Sequence, residues 1–468
     1  MQDRRDFIKF LGIASAGVVL LPSLAYANGD PWSTEYPKIL SRIKPPTFPK
    51  RDFSILKYGA KADGKTLATA AINQAINAAN KAGGGRVVVP VGEFLTGAIH
   101  LKSNVNLHVS KGATLKFTTD TKAYPNVFSR WEGMELMNFS PFIYAYEQTN
   151  IAITGTGTLD GQADNTHWWP WKGNKSDGWV EGAPRQHKDR DELHRMMRDN
   201  VPVTERVFGE GHYLRPQFIQ PYKCKNVLVE GVTILRSPMW EVHPVLCENV
   251  TVRKVRVETH GPNNDGCNPE SCKDVLIDEC YFDTGDDCIA IKSGRNEDGR
   301  RLKTPSENII IRNCIMKEGH GGITLGSEIS GGVRNVFAIG NKLDSPDLWT
   351  ALRVKNNASR GGVLENIYLK NTTVGTVSRS VVEVDFNYEE GAKGGHTPVV
   401  RNYVVENLTC LTPNMAVDLQ GLDNAPIYDV RLINCDFGTV KKPSIIKNVK
   451  NLKLENVKIG GKKVTELT

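Results

Sequence analysis

A short unit recurs along the chain and limits the folds open to it. Asn or Asp is followed by apolar residues at alternate positions, then often by Asn or Gly five positions on. It reads "NIAITG" from Asn150, "NVLVEG" from Asn226, "NVTVRK" from Asn249 and "DVLIDE" from Asp274. It continues as "NIIIRN" from Asn308, "NVFAIG" from Asn335, "NIYLKN" from Asn366, "NYVVEN" from Asn402, "DVRLIN" from Asp429 and "NLKLEN" from Asn451. From Asn226 onward the starts lie 22 to 36 residues apart. Each unit is a period-2 strand closed by a turn residue. One such strand cannot bury its own apolar face, so the units must stack. Few helical patterns accompany them, which excludes leucine-rich and helical solenoids. The expected fold is all-β, a right-handed parallel β-helix whose coils give short strands to long parallel sheets. The asparagines would stack at its turns, because Asn tolerates left-handed backbone and bonds its neighbours. A β-sandwich would need the spacing to be coincidence.

An open solenoid end needs a cover. "DGKTLATAAINQAINAANKAGGG" predicts an N-terminal capping helix with Thr66 as N-cap, Ile72 and Ile76 on one face and Gly83 to Gly85 as its stop. Strands begin in the next run, "RVVVPVGEFLTGAIHLKSNVNLHV". The rhythm breaks between Asp160 and Gln217, where "HWWPW" precedes the charged, helical "DRDELHRMMRDN". An insertion of this size on a solenoid rims the functional face.

Residues 1–27 read as an export signal. Arg4 and Arg5 precede an apolar run too short to span a membrane, and Ala25-Tyr26-Ala27 is a small-x-small cleavage site. The arginine pair resembles a twin-arginine signal. An ordinary secretory signal with two incidental arginines is the plainer reading. Either implies a periplasmic or secreted protein, and nothing later looks transmembrane. The domain plan is a signal over 1–27, a linker over 28–50, and one β-helix catalytic domain over 51–468 with the insertion at about 160–217. A monomer is expected.

The 468 residues are 40% hydrophobic and 24% charged, an ordinary globular balance with ample length for a core. The formal charge of +7 becomes +6 once the signal's three basic and two acidic residues are removed. That excess suits an acidic ligand. No Lys/Arg block marks a nucleic-acid partner. The nine cysteines fall between Cys224 and Cys435 without zinc spacing. Buried thiols are favoured over a disulfide framework, and neither a metal nor another cofactor is expected.

Chemistry concentrates where polar clusters fall on consecutive repeats. They are "PNNDGCNPESC" around Asp265, "GDDC" at Asp286 and Asp287, "GHGG" at His320, and "LRVKN" with Arg353 and Lys355. Coils about 5 Å apart bring them onto one sheet. On a regular strand Asp286 and Asp287 would face opposite ways and one would be buried. Gly285 allows a bend that turns both to a single groove, with Asp287 at the strand start. Three carboxylates this close cannot all ionise freely; one keeps a proton and serves as general acid, while an ionised partner activates water. This is the equipment for glycoside hydrolysis.

From about Phe53 to the C-terminus the chain resembles the family 28 glycoside hydrolases, the polygalacturonase family. The family's four motifs, Asn-Thr-Asp, Gly/Gln-Asp-Asp, Gly-His-Gly and Arg-Ile-Lys, match as Asn263-Asn264-Asp265, Gly285-Asp286-Asp287, Gly319-His320-Gly321 and Arg353-Val354-Lys355. The resemblance implies a pectinase-like solenoid that cleaves α-glycosidic bonds of galacturonic acid in pectin with inversion. It implies Asp286 as general acid, and Asp265 with Asp287 placing and deprotonating the attacking water. His320 would support them, and Arg353 and Lys355 would bind the substrate carboxylate. Asn264 departs from the family's Thr. "NNDGCNPESC", "DCIAIKSGRNEDGRR" and "SRWEGMELMNFSPFIYAY" look more like exo-acting or rhamnogalacturonan-directed bacterial members. Tyr388, in "DFNYEEG", matches a substrate-binding tyrosine loosely, and Asn263 is a further candidate contact.

Other residues admit two readings. Trp168, Trp169 and Trp171 either stack on sugar rings or pack the insertion. Trp240 and His243, in "SPMWEVHP", either line a subsite or belong to the core. Arg295, Arg300 and Arg301 either read a terminal carboxylate or form a solvated loop. Two other functions compete. A Ca²⁺-dependent pectin lyase would use the aspartates as ligands and Arg or Lys as base. A non-catalytic β-helix would bind pectin without cutting it.

Overall fold

The computed structural model describes residues 29–467. The expected signal at 1–27 lies outside them. Among the described residues no helix is long and apolar enough to cross a membrane.

The asparagine units form the rungs of a parallel β-helix. Val105 pairs with Ile151, Ile151 with Val227, and Val227 with Val250 in parallel register. The same line runs on through Val275, Ile309, Val336, Ile367, Tyr403 and Val430 to Leu452. Alternate side chains point inward, and this stacked apolar line fills the interior from Ile55 to Val457. Each leading Asn or Asp has φ between 53° and 59°, the left-handed region that Asn tolerates. Their amides bond coil to coil, Nδ2 to Oδ1: Asn226 to Asn150 at 2.8 Å, Asn249 to Asn226 at 2.7 Å, and Asn335 to Asn308 at 3.0 Å. The expected asparagine stack is present. It breaks at Asp274, which has no amide hydrogen to donate to Asn249.

The segment expected to be a linker is not one. Pro31–Arg42 forms helix α1, capped by Asp30, whose carboxylate accepts the Trp32 N–H. It lies against the outside of the solenoid: Ile39 and Ile43, with Trp32, Tyr36 and Leu40, form one apolar cluster with Leu276, Ile310, Phe337, Tyr368 and Val404. Arg42 pairs with Asp274 at 2.8 Å, and the Lys44 N–H donates to Asn249 at 2.9 Å. The segment therefore seats where the asparagine stack breaks.

The capping helix α2 spans Thr69–Lys81 and buries Ile72 and Ile76 over the open end of the solenoid. Thr66 is not its N-cap. The helix starts three residues later, and the Thr66 hydroxyl is spent on Asp63 in a preceding turn. A hairpin of Asn126–Trp131 and Met134–Phe139 is antiparallel, unlike the coils. The insertion carries 3₁₀ turns and helix α3, His187–Arg198. Trp168 is buried among Tyr124, Phe142 and Trp171, and the Trp169 indole N–H donates to the Ser237 carbonyl at 2.8 Å. These tryptophans anchor the insertion. All nine cysteines are buried free thiols. The Cys224 N–H donates to Cys247 Sγ and the Cys247 N–H to Cys272 Sγ, each at 3.4 Å.

Candidate active site

The two aspartates sit in the bend between Tyr281–Thr284 and Ile289–Ile291. The strand starts at Ile289, two residues later than expected for Asp287. A Cβ on Gly285 would lie 2.4 Å from the Gly261 carbonyl oxygen, so only glycine lets this bend close on the coil before it. The Thr284 hydroxyl donates to the Asp286 carbonyl at 2.9 Å, and the Asp287 N–H donates to the Asp286 carboxylate at 2.9 Å. Both carboxylates then line one cavity of about 390 Å³, together with Asp265, His320, Arg353, Lys355, Tyr388, Asn263 and Arg295. Nine of the ten candidate residues meet there.

Each carboxylate has a different set of partners. Asp287 accepts from the Thr324 hydroxyl at 3.0 Å and from Lys355 Nζ at 2.6 Å. Gly321 leaves room for this, since a Cβ there would fall 2.8 Å from the Asp287 carboxylate. Asp286 lies 2.9 Å from His320 Nδ1. Asp265 accepts from the Asn268 amide at 2.9 Å and has Lys292 Nζ at 3.6 Å, while its Oδ1 has no protein partner. Burial, and then the neighbouring Asp286 charge, push the Asp265 carboxyl well up. Burial acts on Asp286 in the same sense, but it is outweighed by His320, with Lys355 and Lys292 adding to it, and Asp286 is held below the carboxylate range. In the free site burial and the Asp286 charge thus favour the protonated form at Asp265, while His320 favours the ionised form at Asp286.

Asn264, the departure from the family motif, is a frame residue. Its carbonyl accepts the Thr259 hydroxyl at 2.5 Å and the Gly261 N–H at 2.7 Å, and its amide donates to the Ser237 and Met239 carbonyls. The Asn263 carbonyl oxygen accepts from Lys172 at 2.9 Å and Arg215 at 2.8 Å, so it ties the insertion to the cavity wall. Arg353 is braced by Glu383 at 2.8 Å, and Lys355 Nζ lies 5.4 Å from the Tyr388 ring centroid.

Arg295 is not on a solvated loop. It is buried against Glu328, Glu389 and Glu132 at 3.3, 3.3 and 3.7 Å. Glu132 comes from the turn of the 126–139 hairpin, and the neighbouring Gly133 carbonyl accepts the Arg295 N–H. Arg300 and Arg301 do not reach the cavity. Arg300 donates to the Ser359 and Arg360 carbonyls, and Arg301 to Glu135 and Asp298.

His243 is a correction. It is fully buried, with Nε2 2.8 Å from Glu270 and Nδ1 3.0 Å from Gln220. Arg130 of the hairpin pairs with Glu270 at 2.9 Å, and the Trp240 ring lies against His243 with centroids 4.8 Å apart. Trp240 does line the cavity from a buried position, with Lys292 Nζ 4.3 Å from its ring centroid.

Sequence reasoning missed several lining residues: Lys172 and Arg190 from the insertion, Glu132, Lys292, Glu328, Trp349, Arg379 and Glu389. Lys292 was within reach, because it directly follows the strand Ile289–Ile291 that leaves the aspartate bend. In all, seven Lys and Arg face six carboxylates, which leaves the wall fit to receive an anion. A second hollow of about 270 Å³ adjoins it and shares Lys172, Asn263, Asp286 and His320. Asp286 therefore stands at the boundary between the two.

Comparison with known proteins identifies the family. The profile described as glycosyl hydrolases family 28 matches residues 208–459, and one described as rhamnogalacturonase A/epimerase, pectate lyase-like, matches 53–177. A probable polygalacturonase of Vitis vinifera is 28% identical over 81% of this chain and 73% of its own length. An exo-poly-alpha-D-galacturonosidase of Dickeya chrysanthemi is 26% identical over 81% of this chain and 66% of its own. The crystal structure of a hyperthermoactive exopolygalacturonase from Thermotoga maritima superposes with a TM-score of 0.89 at 47% identity, covering 91% of this chain and 96% of that one. With more than half its length matched by the profile, and all four motif clusters gathered on one wall, the chain belongs to glycosyl hydrolase family 28.

Proposed function

We propose that this protein hydrolyses the α-glycosidic bonds of galacturonic acid in pectin from the non-reducing end of the chain. The observation that carries this reading is the two-part cavity. The larger part is lined by three aspartates and, beside them, Arg353, Lys355 and Tyr388. It is also lined by the ion-paired block of Glu132, Arg295, Glu328 and Glu389. On this reading the block closes one end of the groove, which then takes one terminal sugar and its carboxylate. The smaller part begins beyond Asp286 and His320. A general acid protonates the leaving oxygen, so the departing chain lies on its side and runs out through that second hollow. The likeness to the Thermotoga maritima exopolygalacturonase supports the same reading.

Asp286 acts as the acid, and Asp287 with Asp265 holds and deprotonates the water. The free site favours protonation at Asp265 over Asp286, so substrate has to reverse that preference. A galacturonate carboxylate seated by Arg353 and Lys355 adds a negative charge, offsets the lysines that hold Asp286 low, and draws the proton to it. The protein is exported to the periplasm or beyond, and acts there as a monomer on an acidic polysaccharide. The support for export is the composition of residues 1–27.

The test is incubation with polygalacturonate and, separately, a rhamnogalacturonan backbone, following viscosity, reducing ends and product size together. Monomer released with little early loss of viscosity is expected. A sharp fall in viscosity while few bonds are cut would overturn the closed-end reading. A product absorbing in the ultraviolet, as β-elimination leaves, would overturn hydrolysis itself.

A further inference from the structure

The column that carries Asp286 continues past it. Ile289 pairs with Ile323, which sets Asp286 opposite His320 on the next coil. Gly319 pairs with Leu348 and Gly321 with Thr350, so His320 stands opposite Trp349. Leu352 pairs with Val382, which sets Trp349 opposite Arg379. Four coils thus contribute one side chain each to a single stack. The His320 and Trp349 rings are 3.7 Å apart between centroids and 19° from parallel. The Arg379 guanidinium carbon lies 3.7 Å from the centroid of the Trp349 ring.

His320 is tied to Asp286 through one ring nitrogen, at 2.9 Å. Such a bond fixes one edge of an imidazole and leaves its plane free to turn, and with it the direction of the bond. A flat ring against the face of the imidazole removes that freedom. His320 has no wall of its own on this side, because Gly319, Gly321 and Gly322 flank it. Trp349 supplies the wall. Arg379, exposed on the following coil, covers Trp349 with a cation over an aromatic face.

We propose that Trp349, backed by Arg379, is a positioning residue that fixes the plane of His320 and, through it, the orientation of the Asp286 carboxyl. This rests on the reading of Asp286 as general acid. Trp349 also lines the cavity, so a platform for the sugar ring is the role it must be distinguished from.

A double-mutant cycle on the full chain separates them, with oligogalacturonide as substrate. Trp349→Ala is expected to lower kcat about tenfold while KM changes by less than about twofold. Trp349→Phe, which keeps a flat ring, is expected to recover most of the loss. In a His320→Ala background, Trp349→Ala should cost less than about a further twofold, because the residue it positions is gone. Equal losses in both backgrounds, or a loss confined to KM, would overturn the proposal and make Trp349 a sugar platform. A wild-type kcat for His320→Ala alone would overturn the reading of the Asp286–His320 pair beneath it. Trp349 is partly exposed, and an unchanged unfolding temperature for Trp349→Phe guards against a folding artefact.

Discussion

Two polar columns run along this solenoid at the same coil spacing, and they solve opposite problems. In the asparagine column each side chain is both donor and acceptor, so every amide satisfies the next, as from Asn366 to Asn335 and from Asn335 to Asn308. At Asp274, where the run of amides breaks, Arg42 and Lys44 supply partners from outside. The aspartate column offers only acceptors. Asp265, Asp286 and Asp287 are held together by cations and histidine from neighbouring coils, and Asp265 Oδ1 has no protein partner. Glu241, one coil before Asp265, is buried with neither carboxyl oxygen bonded, and burial pushes it well up as a neutral acid. A stack of like charges costs stability, which an enzyme site accepts in exchange for reactivity. One column holds the fold; the other is held by it.

Substitutions can break this contrast at either column. The largest effect is expected from Asp286→Asn, with kcat falling on the order of 10²–10⁴-fold as protonation of the leaving oxygen is lost. Its unfolding temperature should stay near wild type; activity within a few-fold of wild type would remove Asp286 from the acid role. Lys355→Met comes next. Lys355 is buried against Asp287, so its loss strands a charge as well as a substrate contact. Denaturant unfolding should show a loss of about 3–5 kcal/mol, as for a broken buried pair. Both kcat and KM should suffer, and a change in KM alone would mean that Lys355 serves only the substrate.

Asn335→Ala tests the other column. It removes two ladder bonds and forces a Cβ without a local polar partner into φ 56°, at an expected cost of about 2 kcal/mol with kcat unchanged. Asn335→Gly should recover part of this, since glycine adopts that backbone freely. Asp265→Asn gives the smallest shift. The folded carboxyl is raised above its ordinary value of 3.8, so its contribution is whole below that pH and is lost as pH rises through the folded value. The variant should therefore melt above wild type at neutral pH, with the gap closing towards pH 4, while activity falls. A gap that widened in acid would mean that Asp265 is ionised in the fold.

The asparagine column was legible because it repeats: a turn residue at fixed offset from period-2 apolar runs has one economical solution. The aspartate wall was legible for the same reason, one motif per coil. What resisted reading does not repeat. Glu132 reaches the cavity from the tip of an antiparallel hairpin, and Lys172 and Arg190 from the insertion, so no spacing rule links them to Asp286. His243 misled because its burial is completed by partners from other coils, Gln220 and Glu270, which its own motif does not reveal. The tryptophans of the insertion drew attention by their size, yet they anchor the insertion, and the cavity is lined instead by ion pairs among residues scattered from Glu132 to Glu389. Helix α1 was read as a linker because a 12-residue helix outside a repeat carries no signal of what it packs on.

That helix changes how the solenoid should come apart. A stack of coils touching only their neighbours unfolds as a chain of nearest-neighbour couplings and can fray from either end. Helix α1 joins one apolar cluster with Leu276, Ile310, Phe337, Tyr368 and Val404, which stand on five successive coils. It acts as a splint along the middle of the stack: releasing any one of those coils means giving up contacts that also brace the other four. Fraying from the C-terminal end should therefore halt at the coil of Val404, and the coils that carry the catalytic wall should open together or not at all.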